Sequence, residues 1–253
     1  MTPDLALYAI PGLPLIQAGD DLAALLVEAM QAAAIVPAAG DVLVVAQKIV
    51  SKAEGRGVDL AGIIPSPRAI ALAATVGKDP RLVEVILSES RSVIRVGPGV
   101  LIVEHRGGTI MANAGVDHSN VAADEDRVLL LPEDSDASAA GLRARLEAHY
   151  ARPLAVIVND SFGRAWRRGT TGVALGAAGL PALRDMRGRP DLFGRRLRVT
   201  ETGLADELAA AASILMGQAD ESRPAILIRG ADIAGAASSA RSLIRPAAED
   251  LFR

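Results

Sequence analysis

Short runs of Val, Ile and Leu alternate with helical stretches, and that alternation most restricts how the chain can fold. The segment DVLVV of Asp41–Val45 and the runs SVIRV, GVLIVEHR, TIMANAG, RVLLLP, LAVIV, RLRVTET and AILIRG each have the length and β-branched content of a strand. Gly107 and Gly108, between VLIVEHR and TIMAN, mark a tight hairpin because both residues tolerate positive φ. Helices are recognised by their ends. GDDLAALLVEAMQAAA opens on Asp20 or Asp21 as a cap, and KDPRLVEVILSES opens on Asp79 with Pro80 at the first helical position. DSDASAAGLRARLEAHY and GLADELAAAASILMG read as two more, the second closed by Gly217, and the tail from Ala231 reads as helical up to Pro246. Hairpins mixed with helices predict an α+β or mixed α/β fold rather than a doubly wound parallel sheet. The connection ARPLAV near Ala151 is the best boundary, and a weak one, so all 253 residues read as one unit with at most two structural subdomains.

Composition narrows the chemistry. Only 2% of residues are aromatic while half are apolar, so the core is expected to be Ala, Val, Leu and Ile. The absence of cysteine removes disulfides, thiolate nucleophiles and zinc–thiolate sites, and three histidines without HExxH spacing argue against zinc altogether. A net charge of −3 gives no global field for nucleic acid or an anionic membrane. The first residues lack a signal-peptide pattern, and no run reaches the roughly 18 apolar residues of a spanning helix. The expectation is a soluble cytoplasmic protein with small-molecule substrates.

Polar clusters follow several apolar runs, as they do where strand ends present chemistry. In AQKIVSKAEGR, Lys48 and Lys52 are either phosphate-binding point charges or a solvated basic turn, and no GxxxxGK[ST] marks an ordinary P-loop. In NAGVDHSNV, the oxygens of Asn113, Asp117, Ser119 and Asn120 suit a hard cation, but the same residues make ordinary Asx-turns, the better reading of the segment by itself. In VNDSFGRAWRRGTTG, Asp160 and Ser161 offer a carboxylate and a hydroxyl to a divalent ion, followed by Arg164, Arg167 and Arg168. Asp160 could instead cap a helix beginning SFGRAW. Three clustered guanidiniums are harder to explain without an anion. Acidic and basic loops together suit a metal–nucleotide complex, in which phosphoryl oxygens need cations and the cation needs hard oxygen ligands. No GxSxG elbow supports a serine hydrolase.

The segments GLPLIQAGDDL, GDVLVVAQKIVSKAEGR, NAGVDHSNV, VIVNDSFGRAWRRGTTGVALGAAGL and VTETGLADELAAAASILMG occur in order over nearly the whole chain, and together they resemble the coenzyme F420-0:L-glutamate ligase family. The resemblance implies an unusual two-domain α+β fold that assembles as a homodimer. It also implies a GTP-dependent enzyme that adds L-glutamate through a γ-linked amide to a deazaflavin precursor. By that likeness an acyl phosphate is the intermediate, Mg2+ or Mn2+ is required, and K+ often takes part. Matched by position, the nucleotide would meet Leu13, Pro14, Leu15, Ile16, Gln47, Lys52, Asn120 and Gly217. The metal would meet Asp117, Asp160, Ser161 and Gln218. No covalent nucleophile is implied, and Arg164, Arg167 and Arg168 are left to hold the acceptor's phosphodiester or the carboxylates of glutamate. Leu15 departs from the usual acidic residue, Ser161 replaces a common threonine, and His118 stands where a smaller or acidic residue is frequent. Two rival readings are a glutamate ligase for a folate-like or other carboxylate acceptor, and a nucleotide-binding protein without turnover.

Overall fold

The computed structural model describes residues 4–118 and 126–251. In chain order the elements are β1 (Ala6–Ala9), α1 (Leu22–Ala32), β2 (Val42–Ala46), α2 (Gln47–Ala53), β3 (Gly57–Asp59), α3 (Pro67–Val76), α4 (Pro80–Ser88), β4 (Ser90–Gly97), β5 (Val100–His105) and β6 (Ile110–Ala112). They continue with β7 (Arg127–Leu129), α5 (Ser135–Tyr150), β8 (Ala155–Arg164), β9 (Arg167–Ala178), β10 (Arg184–Asp185), β11 (Glu201–Thr202), α6 (Leu204–Met216) and β12 (Ala225–Arg229). The mixture of helices with largely antiparallel sheets is the α+β class that the hairpin signals predict.

A five-stranded sheet of order β1-β12-β2-β8-β9 is the centre, with β2 and β8 parallel and the other pairs antiparallel. Its inner strands are covered on both faces, so their runs are continuously apolar and the period-2 alternation sorts side chains between two cores. Leu43, Val45, Val156 and Val158 pack under α1, α2 and α5, whereas Val42, Val44, Ala155 and Ile157 pack under α6. A smaller body built from β3 to β7 with α3 and α4 has its own core around Leu60, Ile86, Leu101, Val103 and Val128. The starts of α1, α4, α5 and α6 are those the sequence marks, whereas α2 and α3 are not among the helices read from sequence. Asp21, Asp79 and Asp134 each accept a backbone N–H of the first turn, from Ala24, Arg81 and Ala137, and Gly217 closes α6 at positive φ.

Several expectations are corrected. The tail after Ala231 is irregular apart from short 3-10 turns at Ala240–Leu243 and Ala247–Glu249. Its backbone donors go to distant acceptors instead of a helical ladder: Ser238 N–H to the Leu180 carbonyl and Ala240 N–H to the Asp136 carboxylate. RLRVTET supplies only Glu201–Thr202 as strand, because residues 184–202 form a ribbon pointing into solvent with no core for an alternating face. The polar stretch after LAVIV is neither a loop nor a helix start. β8 runs on through Asp160, Ser161 and Phe162 to Arg164 and turns at Ala165-Trp166 into β9, whose Gly- and Ala-rich sequence gives no strand signal. Among the described residues no helix is long and apolar enough to cross a membrane.

Candidate functional site

A cleft of about 300 Å3 opens where β2 and β8 end side by side. β2 passes into α2 with no intervening residue, so the orientations of Gln47 and Lys48 are set by the sheet itself. Gln47 is buried, its side-chain carbonyl accepting the Ser51 hydroxyl at 2.9 Å. Lys48 points outward and its Nζ lies 2.7 Å from Oδ2 of Asp117.

Asp117 reaches the cleft from the smaller body. Asn113, Ala114 and Gly115 take left-handed φ in succession (54°, 54° and 69°), a turn that redirects the chain after β6. A Cβ on Gly115 would come within 2.8 Å of the Leu131 side chain, so glycine there satisfies both the φ and the close approach. Asp117 is then clamped by paired backbone hydrogen bonds with Leu129, at 3.0 and 2.9 Å.

Beside it, the register pairs Ala46 with Asn159, and so Asp160 and Ser161 project just past the end of β2. Burial pushes the Asp160 carboxyl up to about 6; the Ser161 N–H acts the other way, the charge of Asp117 adds to the rise and Lys48 opposes it. Two carboxylates are thus held close, with the Lys48 ammonium beside them. The Gln218 amide donates to Ser161 Oγ at 2.9 Å, bringing the loop after α6 over the same space. That loop begins at Gly217 (φ 74°), where a side chain would run into the Glu221 carboxylate. Beneath, Asn159 is 4% exposed, its Nδ2 donating to Ser213 Oγ at 3.3 Å while its Oδ1 has no hydrogen-bond partner.

Six of the residues named from sequence therefore line one cleft: Gln47, Asp117, Asp160, Ser161, Gly217 and Gln218. Lys52 does not line it. It sits one turn beyond Lys48 on the same face of α2, where burial and then the charge of Lys48 lower its pKa. Leu13, Pro14, Leu15 and Ile16 also stand outside: Leu13 and Ile16 pack on the core under α1, and Leu15 is 86% exposed. The loop that follows them is pinned to the end of α2 by Gly19 N–H on the Ala53 carbonyl. Asn120 lies outside the described residues. Arg164 faces a different cavity, and Arg167 and Arg168 are exposed on the outer part of β9. Lys48, read from sequence with Lys52 as a phosphate-binding charge or a solvated basic turn, lines the cleft as well, whereas Asn159, Ser213 and Arg223 are lining residues that no sequence signal marks.

The donor set suits a hard cation. Two carboxylates, a hydroxyl and an amide are all oxygen-bearing ligands, and Asp160, its pKa raised chiefly by burial and further by Asp117, is a carboxyl that a nearby cation would favour in its charged form. Among the described residues no group of three or more His, Cys, Asp or Glu is gathered as a metal cluster, although Glu221 also lines the cleft. Mg2+ held by one or two carboxylates characteristically leaves its remaining positions to water and phosphate oxygens.

Comparison with known proteins gives the family. The family pattern described as F420-0:Gamma-glutamyl ligase matches residues 12–230. Coenzyme F420:L-glutamate ligase of Methanothermobacter thermautotrophicus is 46% identical over 98% of this chain and 99% of its own length. The protein of that name from Methanopyrus kandleri is 46% identical over 99% and 98%, and that from Archaeoglobus fulgidus 42% over 97% and 95%. These similarities put the chain among the amide-bond-forming ligases. It belongs to the F420-0:Gamma-glutamyl ligase family.

Proposed function

We propose that this chain adds L-glutamate to a deazaflavin acceptor of the coenzyme F420 type, through a γ-linked amide and at the expense of GTP, and that it works as a homodimer. The observation that carries the reading is the meeting of Asp117 and Asp160, 43 positions apart in sequence, beside Lys48, Ser161 and Gln218. Near-full-length similarity to relatives named Coenzyme F420:L-glutamate ligase supports the choice of glutamate and acceptor.

A carboxylate does not react with an amine in water at a useful rate, because it is a weak electrophile without a leaving group. Transfer of the γ-phosphoryl group of GTP to an oxygen of the acceptor's carboxylate gives an acyl phosphate and GDP. The glutamate amine then attacks the acyl carbon: the C–N bond forms, the C–O bond to phosphate breaks with its electron pair, and the amine proton passes to solvent or phosphate. Asp117, Asp160, Ser161 and Gln218 would hold Mg2+ or Mn2+, which supplies positive charge to phosphate oxygens as transfer proceeds. Lys48 brings a fixed ammonium to the same oxygens, and Lys52 a second one turn away. Gln47, locked by Ser51, keeps the start of α2 in place against the sheet. K+ is a further expected requirement.

The dimer is supported by the ribbon of residues 184–202. Its tip exposes Leu192 at 99% and Phe193 at 88%, an apolar pair that a second subunit would cover.

Incubation of the protein with GTP, L-glutamate, Mn2+ and the deazaflavin acceptor, followed by mass spectrometry, tests the reading. A product heavier by one glutamyl residue, with one GDP per amide bond, is expected. Glutamylation of a folate-like acceptor in preference, or nucleotide binding with no GDP formed under any acceptor, would overturn it.

A further inference from the structure

A second cavity, of about 730 Å3, adjoins the cleft. Three separate segments run from one space to the other. On β8, Asn159, Asp160 and Ser161 line the cleft and Phe162, Gly163 and Arg164 the cavity. Ile110 and Met111 of β6 line the cavity, and the turn that follows delivers Asp117 to the cleft. On α6, Asp206 lines the cavity and Ser213, seven residues on and on the same helix face, lines the cleft, a step of roughly 10 Å along the axis. A molecule lying in the cavity can therefore place one end beside Asp160.

The lining has apolar, cationic and acidic parts. Ile94, Ile102, Ile110, Met111, Val173 and Leu175 give apolar walls. Arg95, Arg164 and Arg245 add three guanidiniums from different parts of the chain. None of the three makes an ion pair among the described residues, whereas Arg241, in the same lining, is matched to Asp134 at 3.3 Å. Glu133, Asp134, Asp136, Asp206 and Asp250 line the cavity too, but Glu133 pairs with Arg56, Asp134 with Arg241, and Asp136 and Asp206 accept the N–H groups of Ala177 and Ala174. Guanidiniums left without an ion pair around an apolar hollow suit a ligand with an unsaturated body and anionic appendages. Volume separates the two candidate substrates. Free glutamate would fill a small part of such a space and bury little apolar surface, whereas sites of about 300–1,000 Å3 hold molecules many times larger than an amino acid.

We propose that this cavity holds the acceptor: its flat heteroaromatic body lies against the Ile and Met walls, its phosphodiester meets Arg164 and Arg245, and its carboxylate end reaches along β8 to the Asp160 cleft. The inference rests on the glutamate-ligase reading and adds to it a location for the larger substrate.

The test is a pair of titrations on the full chain. One follows the deazaflavin acceptor by its own fluorescence, the other a fluorescent GDP analogue with Mg2+. Arg164→Ala and Arg245→Ala remove charge from different segments, and Ile110→Trp fills the hollow. Each is expected to weaken acceptor binding at least about tenfold, the loss that accompanies a single charge-assisted hydrogen bond, with GDP affinity within twofold of the parent. Unchanged acceptor binding in the variants, with a parent that binds and glutamylates the acceptor, overturns the cavity assignment and leaves the activity standing. A parent that binds GDP but neither binds nor glutamylates the acceptor overturns the activity, and the assignment falls with it. If Ile110→Trp also loses GDP binding, the two arginine variants decide.

Discussion

Lys48 Nζ sits 2.7 Å from Asp117 Oδ2, joining a helix anchored on the central sheet to a turn of the smaller body. Both side chains are more than a quarter exposed, and ion pairs in such settings contribute about 0–1 kcal/mol to stability. Its use lies in placement: the ammonium and the carboxylate stand where phosphate and cation would meet. Lys48→Met should leave the melting temperature within a few degrees of the parent and lower kcat/KM for GTP by about 100-fold, the cost of losing one transition-state donor. Coupled measurement of GDP release checks this, and activity within threefold of the parent would contradict it.

Asp160 is a desolvated carboxyl held at a cost to stability. Its folded pKa of about 6 lies above the ordinary 3.8, so between those values the folded state binds more protons than the unfolded one and stability falls as pH rises. The penalty is fully present above pH 6. Asp160→Asn should therefore stabilise the metal-free protein at pH 7.5 by on the order of 1–2 kcal/mol, make little difference near pH 3.5, and abolish glutamylation. Denaturant unfolding at the two pH values, with EDTA present, measures the difference. Equal stability of the two proteins at pH 7.5 would show that the carboxylate is not desolvated.

Gly115 sets the direction of Asp117. Gly115→Ala combines a left-handed backbone with a contact of 2.8 Å to Leu131, and it should cost about 2–3 kcal/mol. A second change, Leu131→Ala, removes the clash but not the φ penalty, and so the double variant should be less destabilised than the sum of the two single variants. Thermal unfolding of all four proteins gives the coupling. Additive losses would mean that Leu131 does not press on this turn.

The ribbon of residues 184–202 carries its own prediction. Replacing Leu192 and Phe193 together by Asp should leave the monomer's stability nearly unchanged, since both side chains are almost wholly exposed. In light scattering at micromolar concentration the mass should move from that of two chains to that of one. A parent of single-chain mass at all concentrations would remove the dimer from the reading.

The parts of the fold legible in the sequence are those with local causes. Asp21, Asp79 and Asp134 cap helices because a carboxylate next to free N–H groups needs no tertiary help, and the β2, β5 and β12 runs are apolar enough to be read directly. β9 gives little strand signal because half of its residues are Gly or Ala. Gly172 packs so tightly that a Cβ would strike the Ala209 carbonyl of α6, and Gly176 likewise abuts Ser135, so these positions are small for long-range reasons. The site divides the same way. Asp117, Asp160, Ser161 and Gln218 came from a family likeness and fall in one cleft, while the inward face of Asn159 and Ser213 depends on how α6 crosses β9, which no local pattern records. Arg164 was grouped with Arg167 and Arg168 by sequence proximity. Strand geometry separates them: the first lines a cavity and the others lie beyond the turn.

β12 is the last strand among the described residues, yet it lies inside the central sheet, between β1 and β2. Until residues 225–229 have left the ribosome, β1 has no neighbour and β2 is bare on one side. The loop bearing Gln218 likewise lacks the strand that follows and anchors it. A chain halted before residue 225 thus lacks the one strand that joins β1 to β2.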